Sequence, residues 1–326
     1  MKKVLTIILS MAIIAVLLIG CQTNGEVKSE NNEKIKIGII QPVEHPSLNQ
    51  IREYIIIGLE EEGLKDKVEI NYKDAQGDSS NINTIVSQFV GDEVDIIVPI
   101  ATAPAQSAAA ATKDIPIVFA AVSYPLDAGL VSNLNSPEGN VTGVSDAIDV
   151  SQIFDLALEL TPQAKNFGFI YNSGEVNSAS AIEKAKEYCE DNGINYLETT
   201  ITNSSELLQA TQSLLEKVDA IFTPTDNTVA SAMPVLASEA QKAGIPVYTG
   251  ADSLVADGGF ATVGVDYTEL GRQVAAMVKK VIEGEDISKI PVETLKEYAT
   301  IINLTTAKEI GVEISEEQLN EFQIIE

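Results

Sequence analysis

The sequence predicts an α/β protein of two similar lobes, each with a parallel sheet that helices cover on both faces. Three observations predict this fold class. Short apolar runs alternate with single helical patterns, the order of these patterns recurs in the second half, and the 326 residues exceed what one compact domain usually needs. Strands that are separated by single helices form parallel sheets, because a parallel partner can be reached only by a long crossover.

The first half of the chain alternates strand and helix patterns. Uninterrupted runs of apolar, mostly β-branched residues predict buried strands, and apolar residues three and four apart predict helices. Gly63 ends the first helix, as a glycine after a helix commonly does. The predicted strands cover residues 35–40, 68–72, 96–98 and 117–121, and the predicted helices cover residues 47–62, 81–90 and 105–112.

Three pairs of segments indicate that the second half repeats the first. Two pairs have the same offset along the chain: FGFI at 167–170 corresponds to IGII at 37–40, and IPVY at 245–248 corresponds to IPIV at 115–118. A Val-Asp pair before an apolar run begins at Val94 and again at Val218, with a slightly shorter offset. Three such pairs in one order are hard to assign to chance, so we expect two Rossmann-like lobes.

Residues 1–33 are predicted to lie outside the fold. Lys2 and Lys3 precede an apolar run over residues 4–19, which is the layout of a secretory signal peptide. The run is followed by Gly20 and Cys21, and a small residue before a cysteine resembles the lipobox of bacterial lipoproteins, in which that cysteine is acylated. An uncleaved membrane anchor is the alternative, although the run is shorter than the ~20 residues that a span needs.

We therefore expect residues 1–20 to be a signal peptide. Residues 21–33 are polar and charged, which predicts a disordered tether between a lipid on Cys21 and the lobes. Either the lipid or the uncleaved anchor would place the lobes on the outer face of the cytoplasmic membrane. Cys189 is the only other cysteine, so no disulfide forms within the chain once Cys21 is lipidated.

Composition and motifs argue against nucleic-acid binding and against catalysis. The formal net charge of −27 opposes binding to phosphates, which require a basic surface. The sequence has no G-x-S-x-G, P-loop, G-x-G-x-x-G or H-E-x-x-H motif. His45 is the only histidine, which excludes zinc sites of the Cys/His type. We expect no enzyme, no cofactor and no metal site.

The loops that follow the strands are the candidate ligand site. Ligands of open parallel sheets bind beyond the carboxyl ends of the strands, and two lobes that face each other with these ends enclose a cleft. The candidate ligand-binding residues in these loops are Gln41, Thr102, Ala103, Ser123, Tyr124, Tyr171, Glu175, Asn177, Asp226, Asn227 and Asp252.

A zwitterion fits the charges of these loops. Thr102 and Ala103 begin a predicted helix, whose free N–H groups and positive dipole end favour an anion such as an α-carboxylate. Asp226, with Glu175 or Asp252, offers a carboxylate to an α-ammonium group. Both Thr102 and Asp226 are also good helix N-caps, and that purely structural role is an equal alternative.

Three further side chains have both a functional and a structural interpretation. Tyr171 and Tyr124 follow strands and could clamp a planar group of the ligand, although aromatic residues at strand ends often serve packing alone. His45 lies in a polar loop, where it could donate a hydrogen bond to a ligand or could be an exposed bystander.

Seven motifs together resemble the substrate-binding lipoproteins of ATP-driven (ABC) importers, which have the type I periplasmic-binding-protein fold. They are IGIIQPVEHPSL, PIATAPAQSA, SYPLDAGLV, GNVTGVSD, IYNSGEVNS, TPTDNTVAS and ATVGVDYTELG. Within this family the chain is similar to the subfamily for aromatic amino acids, tryptophan or tyrosine, in Gram-positive bacteria. The resemblance covers nearly all of residues 34–326. Tyr124 departs from it, because the family more often has Asp before this Pro, which would change the ligand contacts near Ser123.

The resemblance implies a bilobal receptor, expected to be a monomer, that closes on an amino acid and delivers it to an ABC permease and its ATPase. It also implies three crossings of the chain through a three-strand hinge. The first lobe would then comprise residues 34–143 plus 253–288, and the second lobe would comprise residues 144–252 plus 289–326. Residues 263–267 would return to the first lobe, and residues 293–304 would go back to the second.

Two alternatives stay open. The same fold could bind a nucleoside, a sugar or a branched-chain amino acid, although the only two arginines, Arg52 and Arg272, lie outside the predicted cleft loops. The lobes could instead serve a surface adhesin or a signalling receptor. A transcriptional regulator with this fold is disfavoured by the secretory start and by the lack of a DNA-binding head.

Overall fold

The computed structural model describes residues 34–326. The predicted signal peptide, Cys21 and the tether therefore lie outside the described residues. Among the helices of residues 34–326, none combines the length and the apolar character that crossing a membrane requires.

Strands and helices alternate along most of the described chain. The strands are β1 (Ile35–Gln41), β2 (Val68–Asp74), β3 (Ile96–Pro99), β4 (Ile117–Ala120), β5 (Val141–Ser145), β6 (Asn166–Asn172), β7 (Asn195–Ile201), β8 (Ala220–Thr223), β9 (Val247–Thr249), β10 (Ala261–Val265), β11 (Glu293–Thr294), β12 (Tyr298–Asn303) and β13 (Gln323–Ile325). The helices are α1 (Pro46–Glu61), α2 (Ser79–Gly91), α3 (Thr102–Ala111), α4 (Val150–Leu160), α5 (Val176–Asn192), α6 (Leu207–Leu215), α7 (Asn227–Ala230), α8 (Met233–Ala243), α9 (Asp252–Ala256), α10 (Tyr267–Ile282), α11 (Leu304–Ile310) and α12 (Glu316–Glu321).

The strands form two sheets, one in each lobe. The first sheet has the order β11-β5-β4-β3-β1-β2, and all of its neighbouring strands are parallel. The second has the order β13-β12-β10-β9-β8-β6-β7, and only its β10–β12 pair is antiparallel. The predicted fold class, two α/β lobes with parallel sheets, is confirmed.

The internal repeat is visible in the strand order and in the register. Strands β2-β1-β3-β4 lie side by side in the first sheet as β7-β6-β8-β9 do in the second. Ile37 pairs with Ile96 in the first sheet, and Phe167 pairs with Ala220 in the second. These partners are the positions that the sequence repeat relates to each other. The two lobes therefore share one core arrangement.

Two helices begin two or three residues before the ranges that their apolar patterns predict, and α3 begins at Thr102, where the candidate anion site was expected. Helix α2 begins at Ser79 because Asp78 caps it, accepting a hydrogen bond from the Ser80 backbone N–H at 2.8 Å. Helix α3 begins at Thr102 and includes Pro104 in its first turn. A proline is tolerated there, since the first N–H groups of a helix have no partner within it.

The chain passes between the lobes three times. Strand β5 belongs to the first sheet, and the following α4 packs on the second. Strand β10 belongs to the second sheet, and α10 packs against α1 of the first lobe. Strand β11 returns to the first sheet, and β12 lies in the second. The last two crossings lie farther along the chain than predicted, because the apolar pattern of β10 does not specify which sheet it joins.

Candidate ligand-binding cleft

A cavity lies between the two lobes at the carboxyl ends of their strands. The space free of protein atoms there is about 420 Å³ and adjoins a second chamber of about 320 Å³, each volume including its opening to solvent. The first cavity is lined by His45, Ser47, Leu48, Ile51, Ala101, Thr102, Ala121, Ser123, Asp146, Asn177, Thr225, Asp226, Asn227, Ala230, Ala251, Ser253, Leu254 and Tyr267. This is the place at which open parallel sheets bind ligands.

The structure brings most of the predicted site residues to this cavity. Of the eleven predicted residues, five line the cavity: Thr102, Ser123, Asn177, Asp226 and Asn227. Tyr124 lines only the adjoining chamber, which Ser123 and Asn177 also line. The other five are absent from both walls: Gln41, Ala103, Tyr171, Glu175 and Asp252.

Most of the residues outside the walls have structural partners instead. The Gln41 side-chain amide donates a hydrogen bond to Asn49 Oδ1 at 2.9 Å and so orders the first turns of α1. The Tyr171 hydroxyl donates to Glu198 Oε2 on the neighbouring strand at 2.9 Å. The Asp252 carboxylate accepts from the next backbone N–H at 2.7 Å. These contacts turn the polar ends of the three side chains toward the protein.

The start of α3 presents unused donors to the cavity. Ala101 precedes the helix with φ 73°, a region that costs a non-glycine residue about 1–3 kcal/mol, and it provides no side-chain cap. Thr102 is 3% exposed, and its Oγ1 has no hydrogen-bond partner within residues 34–326. A buried hydroxyl without a partner costs about 1–3 kcal/mol, which a polar ligand atom would recover.

Asp226 acts as a helix cap in the wall of the second lobe. It is 1% exposed, and its two carboxylate oxygens accept hydrogen bonds from the backbone N–H groups of Val229 at 2.8 Å and Asn172 at 2.7 Å. Burial, and then the nearby charge of Glu175, raise the pKa of Asp226 to about 7. Its first role in this structure is to hold the start of α7.

Glu175 holds the same turn from the opposite side. Its carboxylate accepts four hydrogen bonds, two from Asn227 and two from Thr228, each through the backbone N–H and the side chain, at 2.7–3.0 Å. Glu175 therefore lies behind the cavity wall and fixes the orientation of Asn227, which lines it.

Asp146 is a cavity residue that the sequence analysis missed. It follows β5, is 3% exposed, and lines both chambers. Ser123 Oγ donates to it at 2.8 Å, and the Tyr267 hydroxyl lies 3.5 Å away. Burial raises the pKa of Asp146. The rule that located Asp226, a carboxylate after a buried strand, would have found Asp146 if residues 141–145 had been recognised as a strand.

Two hydrogen bonds join the lobes across the cavity. Ser47 Oγ of α1 donates to Ser253 Oγ of α9 at 2.5 Å. His45 Nε2 lies 3.2 Å from Asn227 Oδ1. All four side chains line the cavity, so the lobes are closed over it.

The adjoining chamber has largely apolar walls. Tyr124 lies there with Ile153 and Phe222, and Lys184 Nζ lies 5.1 Å from the centre of the Tyr124 ring. Burial raises the pKa of the Tyr124 phenol. Such a chamber suits an aromatic or aliphatic group better than a charged one. Within the described part of the chain, no group of three or more His, Cys, Asp or Glu side chains is placed to hold a metal ion.

Comparison with known families identifies the chain. The profile of the family described as ABC transporter substrate binding protein matches residues 36–323. The chain belongs to this family.

Three relatives of this substrate-binding protein are informative. A protein of Clostridioides difficile named tyrosine-binding protein is 39% identical over 321 residues, which cover 96% of this chain and 93% of that protein. An ABC domain from Streptococcus pneumoniae in complex with L-Trp is 39% identical, with a TM-score of 0.87 over 90% of this chain and 100% of the other. A ligand-free, open structure of a Clostridium difficile substrate binding protein with adhesive properties is 38% identical, with a TM-score of 0.69 over 89% and 99% of the two chains.

The L-Trp complex and the ligand-free, open structure have nearly equal sequence identities to this chain but different TM-scores. This substrate-binding protein superposes better on the L-Trp complex than on the ligand-free, open structure. That difference agrees with the hydrogen bonds that join its lobes.

Proposed function

We propose that this protein binds an aromatic amino acid in the cavity and delivers it to an ABC permease, without catalysing a reaction. The observation that carries the proposal is the pairing, in one closed cavity, of an uncapped helix start on the first lobe with buried carboxylates. The helix start suits the α-carboxylate of an amino acid, and a buried carboxylate suits its α-ammonium group. Two relatives, one named tyrosine-binding protein and one solved in complex with L-Trp, favour an aromatic side chain.

The α-carboxylate is assigned to the start of α3. Backbone N–H groups at a helix start, with the positive end of its dipole, stabilise an anion. Thr102 Oγ1 is buried there and has no partner among the described residues, so it can donate a hydrogen bond to a carboxylate oxygen. The N–H of Ala103 is the predicted second donor, because it belongs to the first turn of the same helix.

The α-ammonium group is assigned to Asp146. We expected Asp226 in this role from sequence, but both of its oxygens already accept backbone hydrogen bonds. Asp146 accepts one short hydrogen bond, from Ser123, and a long one from Tyr267. A buried carboxylate with free acceptor capacity gains more from an ammonium partner than one that is already satisfied. Asp226 then supports the wall, with Asn177 and Asn227 beside it.

Apolar side chains of both lobes surround the remaining space. Leu48 of α1 and Leu254 of α9 face the cavity with Tyr267, and Tyr124 and Phe222 face the adjoining chamber. Aromatic rings bury a large area against such walls. Tyr124 therefore keeps its proposed role as an aromatic contact, while the hydroxyl of Tyr171 is bound to Glu198.

The cellular setting rests on sequence and family. We propose that the mature protein is a monomer held on the outer face of the cytoplasmic membrane of a Gram-positive cell by a lipid on Cys21. Its partners are the permease and ATPase of one importer. Closure of the lobes would present a loaded form to the permease.

A ligand screen tests the proposal. The full chain is purified in detergent, freed of bound small molecules by partial denaturation and dialysis, and screened by thermal shift and calorimetry against the twenty amino acids, nucleosides and sugars. We expect one or more aromatic amino acids to bind at one site per chain. Binding of a sugar or nucleoside, with no response to amino acids by the folded, ligand-free protein, would overturn the assignment of substrate class.

A further inference from the structure

His45, the only histidine of the chain, occupies an unusual place between the lobes. It directly precedes α1, is 9% exposed, and lines the cavity. One ring nitrogen, Nε2, lies 3.2 Å from Asn227 Oδ1 of the second lobe. The other, Nδ1, is buried and has no hydrogen-bond partner anywhere in residues 34–326. A buried polar atom without a partner calls for an explanation.

The contacts of Asn227 determine which ring nitrogen carries the proton. The Asn227 side chain has one atom 2.7 Å from Glu175 Oε2. Since a carboxylate oxygen with several donors around it only accepts, that atom must be the amide nitrogen. The amide oxygen therefore faces His45, and Nε2 must donate to it. In a neutral imidazole the other nitrogen is then an acceptor.

His45 is held in the neutral state by its surroundings. Burial lowers its pKa below the ordinary value of 6.5, although the hydrogen bond to Asn227 and the charges of Glu175 and Asp257 oppose this. Nδ1 thus offers a lone pair inside a closed cavity. It matches a ligand atom that donates a hydrogen bond.

We propose that His45 Nδ1 selects ligands whose aromatic ring carries its own N–H or O–H donor, a phenol or an indole, and discriminates against rings that lack one. This inference rests on the proposed function and specifies the substrate of the same cavity. The ligand ammonium group is expected to bind Asp146 and not Nδ1. Asp146 lines the same cavity, and a carboxylate makes a stronger hydrogen bond with an ammonium group than a neutral ring nitrogen does. The ring is the part of the ligand left to reach His45.

The test compares pairs of ligands that differ in one donor. Tyrosine is compared with phenylalanine, and tryptophan with 3-benzothienylalanine, in which sulfur replaces the indole N–H. Leaving Nδ1 unpaired weakens binding on the order of tenfold to a hundredfold, so wild-type protein should prefer the donor-bearing member of at least one pair by that ratio.

Two substitutions separate the roles of the ring nitrogens. In His45→Gln the side-chain amide reaches the position of Nε2 and keeps a donor toward Asn227, but no acceptor remains at the position of Nδ1. In His45→Asn the amide oxygen occupies the position of Nδ1, while the contact with Asn227 is lost. We expect the ratio of the dissociation constants of the two ligands in a pair to fall close to one in His45→Gln. In His45→Asn the ratio should persist, while both ligands bind more weakly.

The outcomes distinguish this inference from the proposed function. If wild-type protein binds no aromatic amino acid, the proposed function fails. If it binds both members of each pair equally, or if His45→Gln keeps the full preference, only the inference about His45 is overturned. Thermal melting of each variant shows whether a variant that has lost the preference is still folded.

Discussion

Ser47 Oγ and Ser253 Oγ lie 2.5 Å apart, and their hydrogen bond joins the first turn of α1 to the first turn of α9 across the closed cavity. The two residues are separated by 206 positions in sequence, and each is almost fully buried. This bond exists only when the lobes are closed, so it stabilises the closed form relative to an open one. Any ligand that requires closure binds more tightly because of it.

Removal of this bond should weaken binding without unfolding either lobe. In Ser47→Ala we expect the dissociation constant for the aromatic ligand to rise about 3- to 10-fold, which corresponds to one neutral hydrogen bond of about 0.5–1.5 kcal/mol. Small-angle scattering of the ligand-free protein should shift toward a more open form. Calorimetry supplies the binding constant.

Ser107→Ala is the matched control for Ser47→Ala. Ser107 Oγ donates to Asn83 Oδ1 at 2.8 Å within the first lobe, away from the cavity. Its removal should change neither affinity nor scattering. Equal effects of the two substitutions would contradict a closure role for Ser47.

Two buried aspartates should separate binding from stability. In Asp146→Asn we expect affinity for the amino acid to fall about a hundredfold or more, because the charge partner of the ammonium is lost. In Asp226→Ala we expect unfolding to become easier by about 0.5–2 kcal/mol, because the cap of α7 is removed. Binding titrations and urea unfolding of both variants give the comparison. The opposite pattern, with Asp146 structural and Asp226 decisive for affinity, would return the ammonium site to Asp226.

The raised pKa of Asp226 predicts a pH dependence of stability. An unfolded aspartate has its ordinary pKa of 3.8, whereas burial and Glu175 raise the folded pKa of Asp226 to about 7. The folded protein therefore binds this proton more tightly than the unfolded chain does, which adds to the free energy of unfolding. The added stability is fully present below pH 3.8 and is lost as the pH rises through about 7. Asp226→Asn removes the titration. Between pH 4 and pH 8, the melting temperature of the variant should rise relative to that of wild type. A difference in melting temperature that stays constant over this range would contradict the raised pKa of Asp226.

The neutral state of His45 predicts that acid weakens binding. Protonation places a donor on Nδ1 and abolishes its acceptor role. Since burial holds the pKa of His45 below 6.5, affinity for tyrosine should be constant above that pH and fall as the pH drops through the lowered pKa. The carboxylates of Glu175 and Asp257 lie near His45, and the raised pKa of Asp226 adds a pH dependence of its own. The difference between wild type and His45→Gln isolates the histidine, and identical pH profiles of the two proteins would contradict its role.

The sequence predicted the fold better than it predicted the roles of single residues. The alternation of strand and helix and the internal repeat are visible as local patterns, and the sheets follow them in strand order and register. The sequence also placed Thr102 and Asp226 at the cavity. It could not decide between capping and binding for Asp226, because that depends on Asn172, 54 positions away.

The misses have two physical origins, a weak local pattern and a contact between distant parts of the chain. Strand β5 reads Val-Thr-Gly-Val-Ser, which is too weakly apolar to stand out as buried, and so Asp146 behind it was missed. The partner of His45 lies 182 positions along the chain, and only the closed lobes bring the two together. Contacts between lobes carry no periodic signal in sequence, unlike the elements within each lobe.

The decisive experiment is a crystal structure of the protein grown with tyrosine. We expect one tyrosine in the cavity between the lobes, with its carboxylate at Thr102, its ammonium group at Asp146 and its hydroxyl donating to His45 Nδ1. A ligand bound elsewhere, or bound in this cavity with its ammonium group on a residue other than Asp146, would show that the proposed binding mode is wrong.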